Sequence, residues 1–235
     1  MFISRSNNFV FIRIPKTGST SALFYFLNSG LYDSSTDTVA LDGKFYSWKQ
    51  MQKCFVDHPK DYLEKARQVP FMDLVGINRK VHSSYSELVK NGKVDKRMPC
   101  YSVIRNPIDR LCSIYFYKNK QREVVGEDLK IKDVNEFCYK ACIKGEKLDP
   151  EHSGNLQSSY FPDHAKLWNI ENLHEHAVAD ITTLGGKVGY PIHVRKTSQE
   201  PKDYKSLLSY EVIQMIELKY LKDFELWEKA YAVYN

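Results

Sequence analysis

No stretch of this chain approaches the roughly 20 consecutive apolar residues that a membrane helix requires, and its opening, Met1 to Asn8, has no long apolar segment of the kind a secretory leader carries. Acceptor triplets for N-glycosylation, N-x-S/T, are absent throughout. Cysteine is sparse: Cys54, Cys100, Cys112, Cys138 and Cys142 are odd in number and scattered, which excludes a disulfide framework. Together these absences lead us to expect a soluble, cytoplasmic protein without a membrane span. Glycine-serine and proline-rich linkers are missing, as are repeats of solenoid period, so residues 1–235 read as one domain.

Charge of one sign is also in short supply. Lys plus Arg number 34 against 29 Asp plus Glu, a net +5 that suits an anionic small ligand but excludes a nucleic-acid-binding surface as the main function. The basic stretches Asn91–Arg97 and Lys118–Arg122 are broken by acidic or uncharged residues and read as solvated faces. Cys138 and Cys142 are one helical turn apart and His174 and His176 two residues apart, but neither pair has a matching second pair of ligands, so no metal is expected. A hydrophobic content of 43% with 13% aromatics is ample for a packed core.

What the chain does have is a strand that empties into a phosphate-type loop. Phe9-Val10-Phe11-Ile12 leads through Arg13-Ile14-Pro15 to Lys16-Thr17-Gly18-Ser19-Thr20, which opens a helix. Unpaired N–H groups in a first helical turn, with the positive end of the helix dipole, stabilise an anion there. Gly18 lets the backbone come close, Lys16 brings a full charge, and Thr17, Ser19 and Thr20 bring hydroxyls. The order differs from the nucleotide loop G-x-x-x-x-G-K-S/T, in which the lysine follows the last glycine and precedes a magnesium-binding hydroxyl. Here Lys16 precedes Gly18, which disfavours an ordinary ATPase or kinase loop.

A second strand-to-helix segment runs Cys100-Tyr101-Ser102-Val103-Ile104-Arg105-Asn106-Pro107-Ile108-Asp109-Arg110-Leu111-Cys112-Ser113. Asn106 is placed as the N-cap and Pro107 as the first helical residue. Arg105 can fork onto a phosphate, and Ser113 lies two helical turns on. Asp109 and Arg110 read on structural grounds as a solvated charge pair.

The motifs P-K-T-G-S-T and V-I-R-N-P-I-D-R-L-C-S-I-Y resemble, in order and separation, the cofactor motifs of sulfotransferases that use 3′-phosphoadenosine 5′-phosphosulfate (PAPS), closest to the carbohydrate, Golgi-type branch. That resemblance implies an α/β, P-loop NTPase-like sulfotransferase fold, with a central, mainly parallel sheet flanked by helices. It assigns Lys16, Thr17, Gly18, Ser19 and Thr20 to the 5′-phosphosulfate, and Arg105 and Ser113 to the 3′-phosphate. It implies PAPS as donor, 3′-phosphoadenosine 5′-phosphate (PAP) as product, and a hydroxyl-bearing acceptor, best read as a saccharide or glycoconjugate. The missing anchor departs from the Golgi relatives.

Between the motifs, an apolar start at Asp73–Ile77 reads as a strand, and Ser83 or Ser84 would cap a short helix running to Lys90. This puts His82 in a loop at the edge where α/β proteins bind ligands. An imidazole there is suited to take a proton from an acceptor hydroxyl, and similar enzymes have a histidine base at this place. Glu87 is the reserve candidate. The stretch His152 to Phe161 resembles the family's acceptor-lining segment, which implies substrate contacts from His152, Gln157 and Tyr160. Arg195, Lys196 and Thr197 resemble the segment that closes over the cofactor. A final helix from about Ser209 carries an apolar stripe of Ile213, Ile216, Tyr220, Phe224 and Trp227, read as core. The chain thus reads as a sulfotransferase with Lys16 and His82 catalytic; the alternatives are a kinase with an atypical phosphate loop and a non-catalytic protein that binds anionic glycans.

Overall fold

A computed structural model describes residues 1–31, 33, 36–41, 44–46, 82–125, 131, 133–144, 155–189 and 203–234. In chain order its elements are β1 (Phe2–Ser4), β2 (Phe9–Ile12), α1 (Ser19–Asn28), β3 (Thr38–Leu41), β4 (Lys44–Tyr46), α2 (Tyr85–Lys90), β5 (Cys100–Ile104), α3 (Pro107–Val125), α4 (Val134–Lys144), β6 (Lys166–Asn169), α5 (Leu173–Thr183), α6 (Tyr210–Lys219) and α7 (Leu221–Tyr231). The strand read over Asp73–Ile77 lies outside the described residues, as do His152, Arg195, Lys196 and Thr197.

The described strands form one sheet in the order β4-β3-β1-β2-β5-β6. β2, β5 and β6 are parallel neighbours, whereas β1, β3 and β4 add to β2 through antiparallel pairs. The parallel half carries the α/β architecture expected, and the antiparallel half extends it. Because Val10, Phe11 and Ile12 pair in register with Cys100, Tyr101 and Ser102, the loops leaving β2 and β5 emerge on the same edge.

Both faces of the sheet are covered, which is why β2 is a continuous apolar run with no polar alternation. Phe9 and Phe11 point to one side and join Phe26 of α1 and Trp168 of β6. The Phe26 and Trp168 rings stack at 5.0 Å and 14°, and Phe9 and Phe11 lie 5.0 and 5.3 Å from Phe26. Val10 and Ile12 point the other way, onto Tyr85 and Leu88 of α2. A third apolar cluster joins α3, α4 and α6 through Leu111, Cys112, Phe137, Cys138 and Ile216.

Two caps match the sequence reading. Asn106 Oδ1 accepts the Ile108 N–H at 2.9 Å before Pro107 opens α3. Ser84 caps α2 in a reciprocal capping box with Glu87. The C-terminal segment differs, because the expected single helix breaks at Tyr220, the residue shared by the ends of α6 and α7. Neither glycine nor proline causes the break. Tyr220 is fully buried against α3 and α4, while Lys219 donates to the carbonyls of Ala141 and Cys142 at the end of α4. Tyr220 itself, at φ −104° and ψ 22°, lies outside helical geometry between the two helices.

His176 of α5 is buried, edge-on to the Tyr234 ring at 4.6 Å. Burial lowers its pKa below the ordinary histidine value, and Asp180 opposes this only in part. A lowered folded-state pKa means that the unfolded chain binds the proton better, so stability is full above the unfolded value and falls as pH drops through it. Chemical denaturation between pH 8 and 5 should show this loss, and His176→Leu should flatten the profile. An identical slope in the variant would show that other groups carry it.

Candidate functional site

The loop after β2 is shaped before any ligand arrives. Lys16 and Gly18 both have left-handed backbones, with φ of 62° and 77°. The Ile14 carbonyl accepts two hydroxyls, Thr17 Oγ1 at 3.1 Å and Ser19 Oγ at 2.9 Å. Thr20 Oγ1 accepts from Arg13 Nη2 at 2.8 Å. The hydroxyls of the loop therefore brace its curvature. Alternating right- and left-handed residues in such turns make anion-binding concavities. No side chain caps α1 and no acidic residue sits in its first turn, which leaves the positive end of that helix to the loop. An added Cβ at Gly18 would come within 2.6 Å of Ile170 Cδ1, so the site demands glycine on both conformational and steric grounds.

The loop after β5 lies against it. Arg105 Nη1 donates to the Lys16 carbonyl at 3.3 Å, and its guanidinium lies 5.6 Å from the centre of the Tyr204 ring. Its backbone is held by Gln157, whose Oε1 accepts the Arg105 N–H at 3.0 Å and whose Nε2 donates to the Arg105 carbonyl at 2.8 Å. Asp223 of α7, fully buried, in turn accepts the N–H groups of Gln157 at 2.6 Å and Ser158 at 2.9 Å.

Arg110 is not the solvated partner of Asp109. It is 1% exposed, donating from Nε to the Pro15 carbonyl at 3.1 Å and from Nη1 to the Asn155 carbonyl at 2.9 Å. Burial lowers its pKa, while Tyr160, Tyr220 and Asp223 raise it. Ser113 is buried on the same helix. Sequence reasoning missed the role of Arg110. Its spacing from Ser113, three residues along one helical face, was the available signal.

His82, at the entry to α2, places Nδ1 3.0 Å from the Arg13 carbonyl. A carbonyl only accepts, so this bond puts a proton on Nδ1. Glu87 is committed elsewhere: its Oε2 accepts the Ser84 N–H at 2.7 Å. Gln157 and Tyr160, read as acceptor-binding residues, are both buried. Gln157 spends its amide on Arg105, and the Tyr160 carbonyl accepts from the Tyr85 N–H at 2.7 Å, tying this segment to α2. His82 thus lies against the donor loop at Arg13, and Arg105 lies against it at Lys16.

Cys138 and Cys142 face the helical core. The Cys138 thiol is held far above the ordinary range by a hydrogen bond with Cys112 and by burial, and burial pushes that of Cys142 up to about 11. His174 Nδ1 is 3.1 Å from the Tyr25 hydroxyl. Among the described residues no group of three or more acidic, histidine or cysteine side chains is arranged to hold a metal, and no helix is long and apolar enough to cross a membrane.

A lysine-glycine loop and an arginine loop leave neighbouring parallel strands at one carboxyl edge, the place where α/β folds of this kind bind their ligands. The model of the sulfotransferase family matches residues 1–232, and the chain belongs to that family. It is a sulfotransferase enzyme. No curated protein and no solved structure gives a significant match.

Gly18→Ala is expected to lower unfolding stability by about 1–3 kcal/mol, the cost of forcing a side chain into left-handed backbone. Adding Ile170→Ala should recover only the steric part. Urea melts of the parent and the two variants test this, and a fully stable Gly18→Ala would show that the loop tolerates another backbone.

Proposed function

We propose that this enzyme transfers a sulfonate group from PAPS to an acceptor hydroxyl on a carbohydrate or glycoconjugate, with residues 1–235 acting as one catalytic domain. The observation that carries the donor assignment is the 3.3 Å contact between Arg105 Nη1 and the Lys16 carbonyl, which makes the two cradles neighbours on one edge. A donor bearing anionic groups at both ends of one nucleoside requires such an arrangement. The left-handed turns at Lys16 and Gly18 and the uncapped start of α1 fit the 5′ end. Arg105 and Ser113 fit the 3′-phosphate, and the reading extends to Arg195, Lys196 and Thr197 as the closing segment, and to His152 on the acceptor side.

Bound PAPS supplies an activated sulfonate whose leaving group is a phosphate. His82 Nε2 takes the proton of the acceptor hydroxyl while its Nδ1–H stays on the Arg13 carbonyl. Lys16 and the loop N–H groups stabilise negative charge on the 5′-phosphate oxygens. The same residues orient donor against acceptor, the other large contribution in transfers of this kind. A sulfonate is less charged than a phosphoryl group, so the scheme calls on no metal. Gln157 enters as a positioning residue for Arg105. The saccharide acceptor rests on kinship with the carbohydrate type.

Labelled-sulfate transfer from PAPS, screened over saccharides, lipids, phenols and peptides, tests the reading. Saccharides should be the labelled class. Lys16→Ala should lower turnover strongly, Arg105→Ala should mainly weaken PAP binding by calorimetry, and His82→Ala should cost about 10²-fold or more in turnover. Magnesium-dependent stabilisation by ATP with no binding of PAP would overturn the assignment in favour of a kinase. PAP binding without transfer to any acceptor class would leave a binding module.

A further inference from the structure

The helix α3 turns one face toward the donor loop. Arg110, Ser113 and Tyr117 recur at spacings of three and four residues, so they stack along that face. Arg110 reaches the carbonyl of Pro15. The next residue of the loop, Lys16, sends its side chain onto the same face, where its Nζ lies 4.3 Å from the centre of the Tyr117 ring. Tyr117 is half-buried, so part of the water that would otherwise screen an ammonium over its ring is displaced. The negative face of an aromatic ring attracts a cation at this range.

We infer that Tyr117 is a positioning residue for Lys16: its π face fixes where the Lys16 ammonium sits, on the face of α3 that carries Ser113 one helical turn away. The inference rests on the donor-site reading above. Lys16 has a left-handed backbone, which sets the direction in which its side chain leaves the loop. A lysine side chain has four rotatable bonds, and ordering them on binding is costly. A ring already holding the charge removes part of that cost. The hydroxyl of Tyr117 has no part in this role, so only the face of the ring matters.

The experiment replaces Tyr117 by Phe, by Leu, and by phenylalanines of increasing fluorination, which drain the π face while keeping its shape. Two quantities are read: kcat/KM for PAPS, and the rate at which the ligand-free protein is acetylated at Lys16 by an amine-reactive ester, followed by mass spectrometry. Tyr117→Phe should stay within about twofold of the parent in both. Tyr117→Leu and the most fluorinated ring should lose between about twofold and thirtyfold in kcat/KM, the range that a cation–π contact spans. They should also acetylate faster at Lys16, because the charged, unreactive form is no longer favoured. A flat fluorination series in both readouts overturns the role of Tyr117, as does a Tyr117→Phe variant as damaged as Tyr117→Leu. Normal turnover in Lys16→Ala would overturn the donor-site reading instead, and the acetylation series would still decide whether the ring holds the ammonium.

Discussion

The buried guanidinium of Arg110 is the constraint on which the arrangement of the site depends. It joins three pieces of chain that no strand or helix connects: the donor loop through Pro15, the start of α3 through its own backbone, and the segment entering Gln157 through Asn155. The Pro15 carbonyl is buried, and leaving it unpaired would cost about 1–3 kcal/mol, so this link helps to set loop geometry. A lysine could not replace it, because only a planar fork can meet two carbonyls at a fixed angle.

From Arg110 the supports run outward in series. Asn155 leads to Gln157, whose backbone is held by Asp223 and whose side chain holds Arg105. Arg105 then returns to the donor loop at Lys16. The result is a closed circuit in which α7, at the far end of the chain, braces a loop that begins at residue 14. This explains why an amide with two hydrogen-bonding atoms stands at position 157: a peptide unit offers one donor and one acceptor, and a glutamine side chain is complementary to both.

The two cradles were legible in the sequence because each is local. A strand, a lysine or arginine and a helix start follow within a dozen residues, and the caps at Asn106 and Ser84 obey rules that need no tertiary information. The circuit between them was not legible. Arg110 next to Asp109 looks like a surface pair, and only the packing of α3 against the loop buries it. Gln157 resembles a sugar-binding residue because the same amide serves either a hydroxyl or a peptide bond. The break at Tyr220 escaped because the apolar stripe continues through it with neither glycine nor proline to mark a stop. The antiparallel strands β1, β3 and β4 escaped as well, since strands of three or four residues are too short for periodicity to speak.

The order of the donor loop follows from the same geometry. In a nucleotide loop the lysine follows the last glycine and sits on the helix, with a hydroxyl beside it for a metal. Here the lysine comes two residues before the glycine, at a left-handed position of its own, and the hydroxyls on either side of Gly18 are turned inward onto Ile14. A loop whose hydroxyls are spent on its own curvature presents its backbone N–H groups at the uncapped start of α1. In the function proposed above, those N–H groups recognise the phosphate that stays behind, and the Lys16 ammonium answers the charge that builds as the bond breaks. The aromatic face of Tyr117 holds that ammonium in place.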